Sequence, residues 1–268
     1  MSAAPPLLAA RGLSKRFRRG SALLDEGREV VALDRVDLEI SRGTILGIAG
    51  ASGSGKTTLG RCLALLEEPD GGELYLEGRD LLGLPSRERR RLGPRIQLLS
   101  QDPATALSPR LTALEAVAEP LLFATPRHDR RRRRELALER MAEVGLGPEL
   151  AKRPTRRLSG GQKRRLVLAR ALAAGPEVLI VDEGLSNLDL SIQARMANLL
   201  LDLRERHALS CAIVSHDLRL LAQLCDEVAV MAAGRIVERA RPRELIAHPR
   251  HPAARELVEA LPDRPSPP

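Results

Sequence analysis

Gly50-Ala51-Ser52-Gly53-Ser54-Gly55-Lys56-Thr57-Thr58 is the stretch on which the reading of this chain turns. It fits G-x-x-x-x-G-K-[ST], the spacing of a phosphate-binding loop. Thr44-Ile45-Leu46-Gly47-Ile48-Ala49 before it reads as a short buried strand, and Leu59 to Leu66 after it as an apolar helix. Strand, glycine-rich turn and helix form the setting the motif needs. Gly50, Gly53 and Gly55 permit a tight turn in which successive N–H groups converge on one anion. The helix N-terminus adds its partial positive charge at the same spot. Lys56 is expected to reach the β- and γ-phosphates of a nucleoside triphosphate, and the Thr57 hydroxyl to ligate magnesium. Ala51, Ser52, Ser54 and Thr58 complete the expected phosphate-contacting set. The plain alternative is a glycine turn without a ligand, and the flanking strand and helix argue against it.

Two further stretches carry chemistry. Val178-Leu179-Ile180-Val181-Asp182-Glu183 is an apolar strand ending in adjacent carboxylates. By itself it is a strand with an acidic turn. Beside a phosphate loop, Asp182 is placed to hold magnesium and Glu183 to polarise an attacking water. Leu158-Ser159-Gly160-Gly161-Gln162 opens a helix with a serine and two glycines, a second anion-directed helix start in one chain.

The remaining pattern frames these motifs. Leu7 to Arg16 reads as a strand, followed by Phe17 and a loop from Arg18 to Arg28. Val30 to Leu33 and Val36 to Ile40 read as two edge strands, the second alternating apolar and polar. Glu73 to Gly78 is another alternating strand, in which Tyr75 is a sheet residue rather than a ligand. Leu81 to Leu92 reads as a charged surface helix, and Arg95 to Ser100 as a strand. From Gln101 to about Lys152 the pattern is helical. Leu114, Val117, Leu121 and Leu122 make one apolar face, and Ala137, Met141 and Val144 another. The Arg130 to Arg134 run admits a nucleic-acid reading. A solvated helix start is favoured, because Glu135 and Glu139 follow and no aromatics interleave. Strand and helix then alternate through Ser159–Ala173, Glu177–Val181, Ile192–Arg206, Ser210–Val214 and Asp217–Leu224. Glu227–Met231 and Arg235–Glu238 flank an Ala233-Gly234 turn and read as a hairpin. Leu261 to Pro268 is proline-rich and expected to be disordered.

Composition sets the bounds. At 268 residues and 43% hydrophobic, the chain holds a substantial core of Leu, Ile, Val and Ala, with aromatics at only 1%. A net charge of +8 suits an anionic partner, whether nucleotide, nucleic acid or membrane, without choosing among them. Cys62, Cys211 and Cys225 lack metal-type spacing and are expected as reduced thiols. No secretory signal is expected in Met1 to Ala10, and no run approaches the ~20 apolar residues of a membrane span.

Taken together, these motifs resemble the ATP-binding cassette family, the ATPase subunits of ABC transporters. Leu158 to Gln162 is similar to the family's signature loop without a mismatch. Gln101 resembles the Q-loop glutamine that contacts magnesium, and Ser186-Asn187-Leu188-Asp189 the D-loop. His216 resembles the switch histidine that senses the γ-phosphate, and Phe17 stands where an aromatic stacks on adenine. Gln101-Asp102-Pro103-Ala104-Thr105-Ala106-Leu107-Ser108-Pro109-Arg110, Ser191 to Ala194 and His251 to Leu257 are similar to the dipeptide, oligopeptide and nickel importer branch. Ala106, Ser108, Ala253, Ala254 and Gly184-Leu185 depart from its usual pattern.

The resemblance implies an α/β fold: a phosphate-loop, RecA-like parallel-sheet core with an antiparallel β layer and an inserted helical subdomain. It implies one ATPase domain over 7–262, with a core of about 7–100 and 163–240 and a helical subdomain of about 101–162. Residues 241–268 form a C-terminal extension, partly disordered. It further implies ATP and Mg2+ as cofactors, with Lys56, Glu183 and His216 catalytic and Thr57, Gln101 and Asp182 at the metal. Two cassettes would close head to tail around ATP, the signature loop of one facing the phosphate loop of the other with Asp189 at the junction. Partners would be two membrane-spanning permease subunits, a second cassette of the same or a different chain, and an extracytoplasmic solute-binding protein. The expected place is the cytoplasmic face of the cell membrane, and the expected solute a peptide-like compound or a nickel or metal chelate. The competing reading is a non-transport cassette ATPase acting on nucleic acid or ribosomes. The arms, zinc insertions or fused second cassette such relatives carry are not visible here. A small-molecule phosphotransferase has no use for Leu158 to Gln162.

Overall fold

The computed structural model describes residues 5–19, 28–100, 106–124, 128–183 and 190–261. Its strands are β1 (Leu8–Arg19), β2 (Arg28–Ile40), β3 (Ile45–Ala49), β4 (Gly71–Leu76), β5 (Arg79–Asp80), β6 (Ile96–Leu99), β7 (Val178–Asp182), β8 (Ser210–Val214), β9 (Glu227–Ala232) and β10 (Arg235–Ala240). The chain divides into two compact units, Met1–Leu84 with Ser210–Pro268, and Pro85–Leu209.

In the first unit, β3 lies between β8 and β9 and runs parallel to both. Every residue of β3 and β8 is buried, which is why both read as unbroken apolar runs. The helices Lys56–Leu63 and Leu218–Leu224 pack against these strands. β9 turns into β10 through Ala233 (φ 47°) and Gly234 (φ 77°), the left-handed pair of a tight hairpin. A second sheet has the order β2-β1-β4-β5, antiparallel throughout. Its Tyr75 lies in β4 opposite Ala9, with the Arg11 guanidinium 5.5 Å from the ring centre, a sheet residue as expected.

One expectation here needs correction. The sequence divides the edge of this sheet at Asp34-Arg35, whereas β2 runs through. Arg35 takes a left-handed φ of 50°, and its N–H donates to Ser14 Oγ at 3.2 Å. The register of β1 shifts opposite it, between Leu13 and Lys15, so the pairing absorbs the irregularity.

In the second unit, β6 and β7 pair in parallel from Ile96 with Val178 to Leu99 with Val181, and Arg95 and Glu177 form an ion pair at their starting ends. The helix Arg130–Glu143 packs on Ala113–Ala118 and Gly160–Ala173. Ala137, Met141 and Val144 are buried as expected. Leu122 is not: it is 50% exposed while Leu121 beside it is buried, since at about 100° per residue position 122 turns away from the face of Val117 and Leu121. The expected helix over Leu81 to Leu92 shortens to Ser86–Leu92, behind Pro85, and Leu81 is fully buried. The arginine run is a helix start. Asp129 caps it by accepting from the Arg132 N–H at 2.7 Å, and Arg131 pairs with Glu135 at 3.0 Å.

Beyond β10 the chain forms the helices Pro242–Ala247 and Pro252–Glu259, each with proline in its first turn. Ala254 and Val258 are buried, and the Glu238 carboxylate accepts the N–H groups of Arg250 and His251. Gln101, Asp189 and the rest of Ser186 to Asp189, the first half of the Gln101 to Arg110 stretch, most of the Arg18 to Arg28 loop and the tail 262–268 lie outside the described residues.

Candidate functional site

The phosphate loop leaves the C-terminal end of β3, the edge of a parallel sheet where ligands of α/β folds are received. Its glycines answer to different demands. Gly50 (φ 155°) and Gly55 (φ 103°) admit no side chain: a Cβ on Gly50 would lie 2.4 Å from the Met231 carbonyl oxygen, and one on Gly55 2.3 Å from that of Ala32. Gly53 has open space around it and is required only by its φ of 80°. The helix Lys56–Leu63 follows, with Gly55 as N-cap, no side chain capping it and no acidic residue in its first turn. Its leading N–H groups are therefore directed to whatever anion enters the loop.

Lys56 is only 6% exposed. Its ammonium donates to the carbonyls of Gly50 (2.8 Å) and Ala51 (2.7 Å) and lies 3.4 Å from Ser54 Oγ, so the charge is held over the mouth of the loop. Ala51, Ser52 and Gly53 are exposed, as is Thr57, while Ser54 is buried and Thr58 half-buried. Behind the loop, Cys62 is fully buried, and burial pushes its thiol up to about 12, which makes it a packing residue.

Three other features of the first unit face this loop or flank it. The Ser215 N–H donates to the Ile48 carbonyl at 3.1 Å, continuing the β3–β8 pairing, so exposed His216 leaves the sheet beside the start of the loop. Phe17 lies on β1 opposite Val30 and is 39% exposed, with the Lys15 ammonium 5.5 Å from its ring centre. Val30, two residues along β2 from Ala32, is exposed directly opposite Phe17, while Val31, opposite Arg16, is exposed on the other face of the sheet. Sequence reasoning missed Val30 as the neighbour of Phe17, because the pairing of β1 with β2 that brings them together leaves no local signal. It also missed the contact of the β9–β10 turn with the loop, where the Gly234 N–H donates to the Ser54 carbonyl at 3.1 Å.

The second unit carries the other motif residues. Asp182 ends β7 at 6% exposure. Glu183, half-buried, takes φ 49°, a left-handed conformation that a non-glycine residue adopts at a cost of about 1–3 kcal/mol. Leu158 is buried and anchors the next motif. Ser159 is the N-cap of the helix Gly160–Ala173 in a reciprocal capping box: the Gln162 N–H donates to Ser159 Oγ (3.2 Å) and the Ser159 N–H to Gln162 Oε1 (3.0 Å). A Cβ on Gly160 or Gly161 would meet nothing within 4 Å. Among the described residues these glycines are thus not demanded by packing; they keep side chains away from the capped helix start. A hollow of about 340 Å3 beside it is lined in part by Ser159, Gly161, Arg164, Arg165 and Arg195, with Glu149 as the one carboxylate in its lining. Among the described residues no group of three His, Cys, Asp or Glu side chains could hold a metal ion.

A family model described as ABC transporter matches residues 33–186. A putative peptide import ATP-binding protein of Brucella ovis is 42% identical over 259 residues, covering 96% of this chain and 79% of that protein. The dipeptide transport ATP-binding protein DppF of Escherichia coli is 40% identical over 257 residues, covering 96% and 77%. Among solved structures, the ATP-binding cassette MJ0796, a dimer in a post-hydrolysis state bound to ADP and Pi, matches with a TM-score of 0.78 and 28% identity over 88% of this chain and 99% of that one. CbiO1 of Clostridium perfringens, part of the cbiONQ transporter complex, matches with a TM-score of 0.79 over 91% and 92%; at 24% identity this is a likeness of fold.

Proposed function

The chain belongs to the ABC transporter family and is an ATPase, and from that premise we propose that it drives a peptide importer. The observation that carries the proposal is similarity over 96% of the chain to proteins named for peptide import and dipeptide transport. In this reading Gly50 to Thr58 cradle the triphosphate through backbone N–H groups, and Lys56 offsets charge on the β- and γ-phosphates. Phe17, with Val30 opposite it on β2, offers the adenine an apolar face. Glu183 accepts the proton of the attacking water, and His216 holds the γ-phosphate. The Thr57 hydroxyl and the Asp182 carboxylate, with Gln101, are hard oxygen donors of the kind Mg2+ takes; a bound ion there would neutralise phosphate charge. Leu158 to Gln162 serve the nucleotide of a second cassette, with Asp189 at the junction. The bare Gly160 and Gly161 support this, because they leave a helix N-terminus open to a neighbour's γ-phosphate. ATP then bridges two chains, binding favours closure and hydrolysis releases it.

The chain works at the cytoplasmic face of the membrane, held there by two permease subunits, with an extracytoplasmic solute-binding protein delivering the cargo. Among its described residues no helix is long and apolar enough to cross a membrane. The test is purification of the tagged chain from native membranes. Retention of two multi-spanning subunits, with or without a different cassette chain, is the expected result; recovery of ribosomal or DNA-bound proteins overturns it in favour of the non-transport reading. Uptake of labelled dipeptide against labelled nickel by vesicles holding the complex separates the two solute classes, and dipeptide uptake is expected.

A further inference from the structure

The β9–β10 turn, strand β2 and the phosphate loop meet at one junction, in which several hydrogen bonds bear on the orientation of a single peptide. The Gly234 N–H donates to the Ser54 carbonyl (3.1 Å), while the Gly234 carbonyl accepts from the Asp34 N–H (2.9 Å). The Arg235 guanidinium closes the circuit onto the Asp34 carboxylate through Nε at 2.8 Å and Nη2 at 2.5 Å. Arg35 Nε stands 3.5 Å from the same carboxylate. There is no room to slide: a Cβ on Gly234 would lie 3.0 Å from the Ala32 oxygen, the same atom that presses on Gly55.

In a planar trans peptide the C=O and the following N–H point in opposite directions. A Ser54 carbonyl tied outward to Gly234 therefore turns the Gly55 N–H inward, into the concavity of the phosphate loop. The donor at the head of the loop is aimed from outside by a turn about 180 residues further along the chain. The pair that locks this turn to β2 is 30% and 58% exposed at Asp34 and Arg235, and Arg235 holds the Asp34 carboxyl below the usual carboxylate range.

We propose that Asp34 and Arg235 are positioning residues for the ATP reaction, acting through Gly234 to hold the Ser54–Gly55 peptide with its N–H toward the phosphates. The proposal rests on reading Gly50 to Thr58 as the ATP site. Neither side chain touches the nucleotide, so loss of the pair weakens ATP binding and leaves the chemical step alone. The test measures the dissociation constant for ATP by calorimetric titration, and KM and kcat by phosphate release, on full-length Arg235→Ala, Asp34→Ala and the double variant. An exposed pair of this geometry corresponds to an increase of about two- to fivefold in Kd and KM. We expect that increase in each single variant, no further increase in the double, and an unchanged kcat at saturating ATP. Arg235→Lys, which keeps the charge, is expected to lie between Arg235→Ala and the wild type. Unchanged ATP affinity with a lowered melting temperature would overturn the proposal and make the pair a plain structural tie. Multiplied effects in the double variant would overturn it too, since the residues would not act as one. If the wild type itself bound no ATP, the reading of the loop would have failed first.

Discussion

Replacing Gly55 by alanine tests the packing of the phosphate loop against β2. Two costs add. The backbone stands at φ 103°, outside the region L-residues adopt, which carries about 1–3 kcal/mol. The new Cβ would lie 2.3 Å from the Ala32 carbonyl oxygen, so a backbone atom of a paired strand has to retreat by about 0.7 Å to reach the 3.0 Å limit of real contacts. Overpacking of that kind costs about 1–3 kcal/mol. The sum is about 2–6 kcal/mol against a typical total stability of about 5–15, and even the lower end corresponds to a melting temperature about 4–8 °C below the wild type. Gly53→Ala isolates the first cost, because its φ is 80° and nothing lies within 4 Å. Gly160→Ala, without a left-handed φ or a close neighbour, carries neither. Thermal unfolding followed by circular dichroism is expected to rank the variants Gly160→Ala, Gly53→Ala, Gly55→Ala in order of falling stability, with ATP binding abolished in the last. Gly55→Ala melting together with Gly53→Ala would refute the close approach of Ala32 to the loop.

Other outcomes follow from single contacts. Thr112→Ala removes both the Oγ1 that accepts the Glu115 N–H at 3.3 Å and its own 2.8 Å bond to the Glu115 carboxylate; chemical denaturation is expected to show a loss of about 1 kcal/mol. The Arg16 N–H, at 2.6 Å, and then Lys15 hold the Asp70 carboxyl below its usual value. Its contribution to stability is therefore present above about pH 4 and fades as the pH falls through the lowered value. Asp70→Asn is expected to flatten the acid side of the stability–pH profile and weaken the protein at neutral pH, and an unaltered profile would contradict the bond. Cys62, Cys211 and Cys225 are buried, and the Cys62 thiol is pushed up to about 12. At pH 8 the native chain should resist iodoacetamide, with all three thiols alkylated in denaturant; rapid alkylation of the native protein would show that this core is open.

What could be read from residues alone was whatever local pattern dictates. The motif glycines announced the loop, the unbroken apolar runs of β3, β7 and β8 announced buried parallel strands, and Ala233-Gly234 announced the hairpin. What could not be read depended on non-local contact. The continuity of β2 through Arg35 rests on a bond to Ser14 and a register shift in β1. Leu122 is exposed although Leu121 beside it is buried; two adjacent leucines cannot both lie at the centre of one helical face, and the apolar pattern did not say which would turn out. The helices after β10 are short, and the burial of Ala254 and Val258 that defines one of them has too few apolar positions to stand out. At the site, the Ser54 carbonyl is bonded to the Gly234 N–H of a turn far along the chain, and Glu183 takes a left-handed φ at the end of its strand. Neither leaves a periodic trace.

Glu183 is proposed to act in the chemical step of ATP hydrolysis and not in binding. The measurement that tests it most directly compares Glu183→Gln with the wild type, in the complex purified from membranes, for ATP affinity and for phosphate release at saturating ATP. The substitution keeps the size of the side chain and removes its ability to take a proton. The expected result is unchanged ATP affinity with turnover reduced about 10²–10⁴-fold, the usual worth of a positioned general base. Phosphate release at the wild-type rate would contradict it and move the catalytic role to another residue.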